Sequence, residues 1–328
     1  MIRKAFAFIL ITAFAALALV ACANGTQNDT NVSEETTDTE IDVMATDTVA
    51  ITDEESESDT ETEAVGTEDG LDSAYVYVAL GDSIAYGYGL IDFDNERYSA
   101  LIEEALSDKV EAFTDFNYAV NGDTSGDLIE LIKSGGAPEL CHADLITISI
   151  GANNVLGTSI AKLSEYHIYS TSVTDENLKS IRIPQIYDEM MTQNAAGIAQ
   201  FALDIVTIIE LIKEAAPDAE IIFQTIYNPY RKLDVTFDFI EHTLDLAKET
   251  DRLVTSLNDI IKSNASTLGY KVADVYSAFD ALDNVVNADT FTGGAADFVT
   301  ALIEADPHPN KNGHRVIADT IIPIIEIK

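Results

Sequence analysis

The chain has 328 residues and carries 57 Asp and Glu against 18 Lys and Arg, a net charge of −39 that repels nucleic acid and sets it aside as a partner. Its two cysteines are Cys22 and Cys141, and the first closes an apolar leader, so the folded part has no internal disulfide and must be held by packing. Cys141, with no histidine constellation of its own, reads as a small core residue.

In chain order, Arg3 and Lys4 precede an uncharged run from Ala5 to Ala21, closed by Leu19-Val20-Ala21-Cys22. That is the pattern of an export signal, 1–21, and not of a retained spanning helix. Its Leu-x-Ala-Cys ending resembles a bacterial lipoprotein signal. The resemblance implies a lipidated Cys22 and an extracytoplasmic protein anchored on the bacterial cell membrane; an ordinary signal cut near Ala21 or Ala23 is the alternative. From Ala23 to Asp72 there are 17 Asp or Glu and no Lys or Arg, among many Ser and Thr. Residues 22–73 therefore read as an acidic disordered tether, with a reach on the order of 40 Å for about 50 residues. The remainder, 74–328, has the length of one α/β domain.

Within it, short apolar runs alternate with longer amphipathic ones, the pattern of a parallel sheet covered by helices. The first predicted strand is Tyr75 to Leu80. A helix from about Arg97 to Leu106 follows, then a strand near Phe116 to Val120, a helix around Asp127 to Lys133, and a strand from Asp144 to Ile150. Gly157 to Pro184 has weak periodicity and reads as an excursion over the carboxyl end of the sheet. A long helix from about Tyr187 to Ala216, a strand from Glu220 to Ile226 broken by Asn228-Pro229-Tyr230, a helix from Phe237 to Leu268 stopped at Gly269, a strand from Lys271 to Tyr276 and a closing helix from His314 to Ile325, interrupted by Pro323, complete the expectation.

Leu80-Gly81-Asp82-Ser83 puts a hydroxyl at a strand-to-loop junction, where an α/β sheet places its chemistry, and Asp306-Pro307-His308-Pro309-Asn310 supplies an imidazole and a carboxylate. Ser83 is the candidate nucleophile and His308 its base. Asn121-Gly122-Asp123-Thr124 and Gly151-Ala152-Asn153-Asn154 follow two further apolar runs. These four blocks, in this order, resemble those of the SGNH or GDSL hydrolase family, and the resemblance spans the domain. It implies a flavodoxin-like three-layer α/β/α sandwich with a five-stranded parallel sheet. It also implies ester hydrolysis through Ser83, and an oxyanion hole built from Ser83, Gly122 and Asn153. Two departures stand out. The family's acid lies three residues before the histidine, where this chain has Ala305, so Asp306, Glu304 or a backbone carbonyl is left to orient His308; and Asn154 stands where the family commonly has Asp.

His314 reads as a capping or surface residue, as do His142, His167 and His242 as surface or boundary residues. Tyr86, Tyr88, Tyr227 and Tyr230 are candidates to line the cleft. Asp92-x-Asp94-x-Glu96 lacks the glycine and terminal glutamate of a calcium loop, and neither metal nor cofactor is expected. The expected substrate is an ester: a lipid or lysophospholipid, a short acyl ester or an acetylated glycan. A thioesterase, or a non-catalytic binding lipoprotein on the same fold, is the alternative.

Overall fold

In the computed structural model the described residues are 71, 74–300 and 305–327. The expected leader, Cys22, all of the expected tether but Leu71, and Glu304 lie outside them. The strands are β1 (Tyr75–Gly81), β2 (Phe113–Asn117), β3 (Leu145–Ser149), β4 (Glu220–Gln224), β5 (Thr236–Asp238), β6 (Thr243–Asp245) and β7 (Lys271–Ala273). Five of them pair in parallel in the order β2-β1-β3-β4-β7, while β5 and β6 form a separate antiparallel hairpin.

The helices are α1 (Ser83–Tyr86), α2 (Phe93–Glu96), α3 (Tyr98–Leu106), α4 (Ser125–Lys133), α5 (Leu156–Thr171), α6 (Glu176–Ala215), α7 (Leu246–Leu268), α8 (Val275–Asp280), α9 (Ala295–Thr300) and α10 (Lys311–Ile321). Side chains alternate across the central strands, so both sheet faces are apolar. Val76, Val78, Leu80, Ile146, Ile148 and Phe223 pack with α4, α6 and α7. Tyr77, Ala79, Leu145 and Ile222 pack with α3, α8 and α10. The result is the expected three-layer sandwich. By length and composition α6, at 40 residues, could cross a membrane. Here its stripe Phe201, Ile205, Ile208, Ile209 and Ile212 is buried within the second core.

Several boundaries move for local physical reasons. β2 lies upstream of its predicted place, yet the amides of Tyr118 and Val120 still donate to the carbonyls of Ala79 and Gly81 at 2.9 and 3.0 Å, so extended pairing continues toward Gly122. The start of the helix predicted from Phe237 is instead the β5–β6 hairpin. Val235, Phe237 and Phe239 are buried in alternation with Thr236 and Asp238, a period of two, and Asp245 caps α7 through the Lys248 amide.

The excursion at 157–184 is a helical pair, α5 and the start of α6, with Pro184 inside the latter. Its periodicity is weak because only Leu163 and Ile183 within it are buried. Ion pairs support the rest: Arg182 meets Glu165 and Glu189 at 2.5 Å each, and Lys162 meets Glu165 at 3.1 Å and Glu189 at 2.5 Å. β4 ends two residues early because Asn258 pairs its side-chain amide with both backbone groups of Ile226. β7 ends at Ala273 because Asp274 caps α8. Cys141 is exposed, contrary to the core assignment, with its Sγ 3.3 Å from the Pro138 carbonyl.

The closing helix starts at Lys311, since Asn310 accepts from the amides of Asn312 and Gly313. Three residues into it, His314 turns inward and is fully buried, which corrects its assignment to the surface. Its Nδ1 accepts from the Tyr98 amide at 3.2 Å, and its ring stacks on Tyr98. Burial, helped by the nearby His308, pushes its pKa from 6.5 down to about 3. The unfolded chain thus takes up a proton below pH 6.5 that the folded chain refuses until about pH 3, so this residue's contribution is lost as pH falls through that window. His314→Asn keeps an acceptor for Tyr98 and removes the titration. It is expected to lower stability by about 1–3 kcal/mol at pH 7 while flattening the acid decline, which thermal unfolding from pH 7 to 4 measures.

Candidate active site

The sheet order reverses between β1 and β3, the switch point at which an α/β sheet opens a crevice at the carboxyl ends of its strands. β1 lies between β2 and β3, so the segments after these three strands emerge side by side. Gly81 ends β1 at φ +148, and a Cβ there would sit 2.1 Å from the Ser149 carbonyl oxygen. Only glycine lets β1 leave the sheet this close to β3. Asp82 then caps α1, its Oδ1 accepting from the Ile84 amide at 3.0 Å, and Ser83 is the first residue of that one-turn helix.

Ser83 Oγ lies 2.8 Å from His308 Nε2, and His308 Nδ1 lies 2.5 Å from Asp306 Oδ1. The carboxylate orienting His308 is therefore Asp306, two residues before it. Oδ1 also accepts from the His308 amide at 3.1 Å, a tight turn that the shorter spacing makes possible. Burial works to raise the Asp306 pKa, but the His308 ring and its charge, the His308 amide and the Asn287 side chain together hold it below the ordinary carboxylate value.

Asn287 was not visible as a site residue in the sequence. Its Nδ2 donates to Asp306 Oδ2 at 2.9 Å, and the amides of Asn287 and Ala288 donate to the carbonyls of His308 and Asp306 at 3.0 and 2.9 Å. The loop behind it is closed by a buried pair, Arg231 with Asp289 at 3.0 Å, and Asp289 Oδ2 accepts from the amides of Val285 and Val286. No motif marks these residues, because their partners are mostly backbone groups brought in by the fold.

Gly122 follows the β2 edge with φ +88, and nothing lies within 4 Å of where a Cβ would be. Asn153 sits in the turn after β3, and its Nδ2 donates to the Asp123 carbonyl at 2.9 Å, tying the two loops together. Asn154, the departure from the family's usual Asp, bonds Ser125 through both ends of its amide. Tyr88 lies against His308, ring centres 4.6 Å apart, and Tyr86 stacks on Phe93; both tyrosines are partly exposed. Tyr227 and Tyr230 do not line a cleft: both are buried, and Tyr227 supports the histidine loop by donating to the Pro307 carbonyl at 2.8 Å. Of the acidic turn, Asp94 lies 3.9 Å from Arg97 and Glu96 pairs with Lys311 at 2.7 Å. Among the described residues no group of three His, Cys, Asp or Glu is placed to hold a metal ion.

The sequence pattern of the GDSL-like Lipase/Acylhydrolase family matches residues 79–316. The protein YpmR of Bacillus subtilis (strain 168), itself uncharacterized, is 26% identical over 254 residues, covering 76% of this chain and 81% of that protein. Two solved structures share the fold with a TM-score of 0.52 each. One is an extracellular lipase from Streptomyces rimosus, 19% identical, covering 77% of this chain and 100% of that one. The other is phospholipase A1 from Streptomyces albidoflavus NA297, 17% identical with the same coverage.

Asp82 is buried beside this site with its Oδ2 unpartnered, and burial raises its pKa from 3.8 to about 7 against the lowering pull of the Ile84 amide and His308. The folded chain keeps this proton where the unfolded chain has released it, so the residue costs stability increasingly as pH climbs from 3.8 through about 7. Asp82→Asn preserves the cap acceptor and removes that cost. Unfolding at pH 3.5 and pH 8 is expected to show little change at the first and a gain of roughly 2–4 kcal/mol at the second.

Proposed function

The chain belongs to the GDSL-like lipase/acylhydrolase family, a family of ester hydrolases, and from that membership we propose that it cleaves carboxylic esters through an acyl-Ser83 intermediate. The observation that carries this reading is the continuous line from Asp306 through His308 to Ser83, at 2.5 and 2.8 Å. Ser83 Oγ attacks the ester carbonyl while His308 Nε2 takes its proton; Asp306 holds the ring and the positive charge it acquires. The carbonyl oxygen becomes an oxyanion facing the Ser83 and Gly122 amides and the Asn153 hydrogen not engaged by Asp123, each donor being worth about 3–4 kcal/mol. Collapse expels the alcohol with the proton from His308, and a water, deprotonated by the same ring, then releases the acid and restores Ser83.

The segment after Ser83 exposes Tyr86, Tyr88, Ile91 and Phe93, which supports an acyl chain longer than acetyl as occupant of this rim. In this reading the protein works outside the cytoplasm, lipid-anchored through Cys22 and held off the membrane by the acidic stretch that follows. The Arg3-Lys4 start, the apolar run and the cysteine closing it support that placement.

Hydrolysis of p-nitrophenyl esters from acetyl to palmitoyl tests the chemistry. Octanoyl ester is expected to exceed acetyl in kcat/KM, Ser83→Ala and His308→Ala to lose at least about a thousandfold, and Asp306→Asn between about 10² and 10⁴. Turnover confined to acyl thioesters would make it a thioesterase, and none at all would leave a binding lipoprotein. Cys22→Ala is expected to move the protein from the membrane to the soluble fraction; unchanged partitioning would remove the lipid anchor from the proposal.

A further inference from the structure

α6 crosses the turn that carries Asn153, and it meets it through one face. Gly197, Phe201 and Asp204 follow helical spacing. A Cβ on Gly197 would lie 2.0 Å from the Asn154 carbonyl oxygen, and one on Gly151 would lie 2.6 Å from the Phe201 ring, so helix and turn are in contact with no room for a side chain between them. One turn on, Asp204 is 5% exposed. Its Oδ2 accepts from the Ser125 hydroxyl at 2.6 Å and its Oδ1 from the Gln200 amide at 2.7 Å.

The direction of this chain of hydrogen bonds is fixed by chemistry. The Ser125 backbone amide can only donate, and it donates to Asn154 Oδ1 at 3.1 Å, which turns Asn154 Nδ2 onto Ser125 Oγ at 2.8 Å. The hydroxyl has one proton, and with Asn154 donating to it that proton goes to Asp204. Ser125 opens α4 immediately after the Gly122 loop, and Asn154 adjoins Asn153. A single relay, Asn154 to Ser125 to Asp204, therefore fastens both loops beside Ser83 to α6.

We propose that Asp204 is a positioning residue for the oxyanion donors: acting through Ser125 and Asn154, it sets the spacing between the Gly122 loop and the Asn153 amide. The catalytic consequence rests on the hydrolase reading; the wiring of the relay does not. A carboxylate at 154 would place acceptors at both ends of a hydroxyl that owns one proton. If 204 then becomes an amide, the polarity reverses: that amide donates to Ser125 Oγ, whose proton goes to position 154.

The test uses the full chain with Asn154→Asp, Asp204→Asn and the two together. Asn154→Asp is expected to lower kcat roughly ten- to a hundredfold with KM changed less than about twofold, because donors shift while substrate contacts stay. Asp204→Asn alone can turn its oxygen toward Ser125 and is expected to stay within about threefold of the parent. The double variant is expected to recover kcat to within about threefold of the parent, a rescue that loss of general stability would not give. A double variant no better than Asn154→Asp, or an undiminished Asn154→Asp, overturns the proposal. If the parent hydrolyses no ester, the hydrolase reading fails separately, and the relay is judged on Tm. Recovery in the double variant of a Tm lost in Asn154→Asp supports it, and additive losses overturn it.

Discussion

An imidazole that must offer one nitrogen to a hydroxyl and the other to a carboxylate tolerates little rotation, and His308 sits on a loop. What holds it is a set of contacts made almost wholly by residues from elsewhere in the chain. Asn287 grips the carboxylate from behind, two backbone amides grip the loop's own carbonyls, and Tyr227 takes a third carbonyl at Pro307. Behind these stands the buried pair of Arg231 and Asp289. Buried ion pairs return little net stability once both charges are desolvated. This pair's effect is geometric, since Asp289 also gathers the amides of Val285 and Val286 and so gives the Asn287 turn its shape.

The same demand for fixed geometry is met differently on the opposite side of Ser83. There the Gly122 and Asn153 loops follow parallel strands, and the sheet fixes their order. Gly81 is the key backbone position, because β1 can turn away beside Ser149 only without a Cβ. The Gly122 and Asn153 turns are cross-linked to each other and backed by α6, so a loop pair acquires the stiffness of a helix packed on a sheet.

Much of this is legible in the chain, and what is not has identifiable causes. β1, β3 and β4 announce themselves because each is an apolar run buried on both faces, whereas the edge strands β2 and β7 are only partly buried; the blocks after β1, β2 and β3, with the histidine block at the far end, mark the carboxyl edge. Val235 to Phe239 misleads because a period of two spread over a few residues also fits the edge of a longer amphipathic pattern, so the β5–β6 hairpin hides inside an expected helix. His314 misleads because a polar residue near a helix start has the same sequence appearance whether it faces water or Tyr98. The orienting acid is undecidable from spacing alone, whereas in three dimensions Asp306 reaches both the ring and the amide of His308. Asn287 and Asp204 leave no trace in sequence, since each acts on a partner far along the chain or on a backbone group.

Ser83 and His308 are separated by 225 positions, and everything that steadies the histidine is likewise encoded late. At roughly 5–20 residues per second, a ribosome needs about ten to forty-five seconds to pass from one to the other. Throughout that interval the emerging polypeptide has a serine without its base, and the frame around Arg231 and Asn287 is itself incomplete. A message cut short before His308 therefore yields a product in which Ser83 has no imidazole partner. The pairing of hydroxyl and imidazole is thus completed only at the end of synthesis, by the docking of the final block.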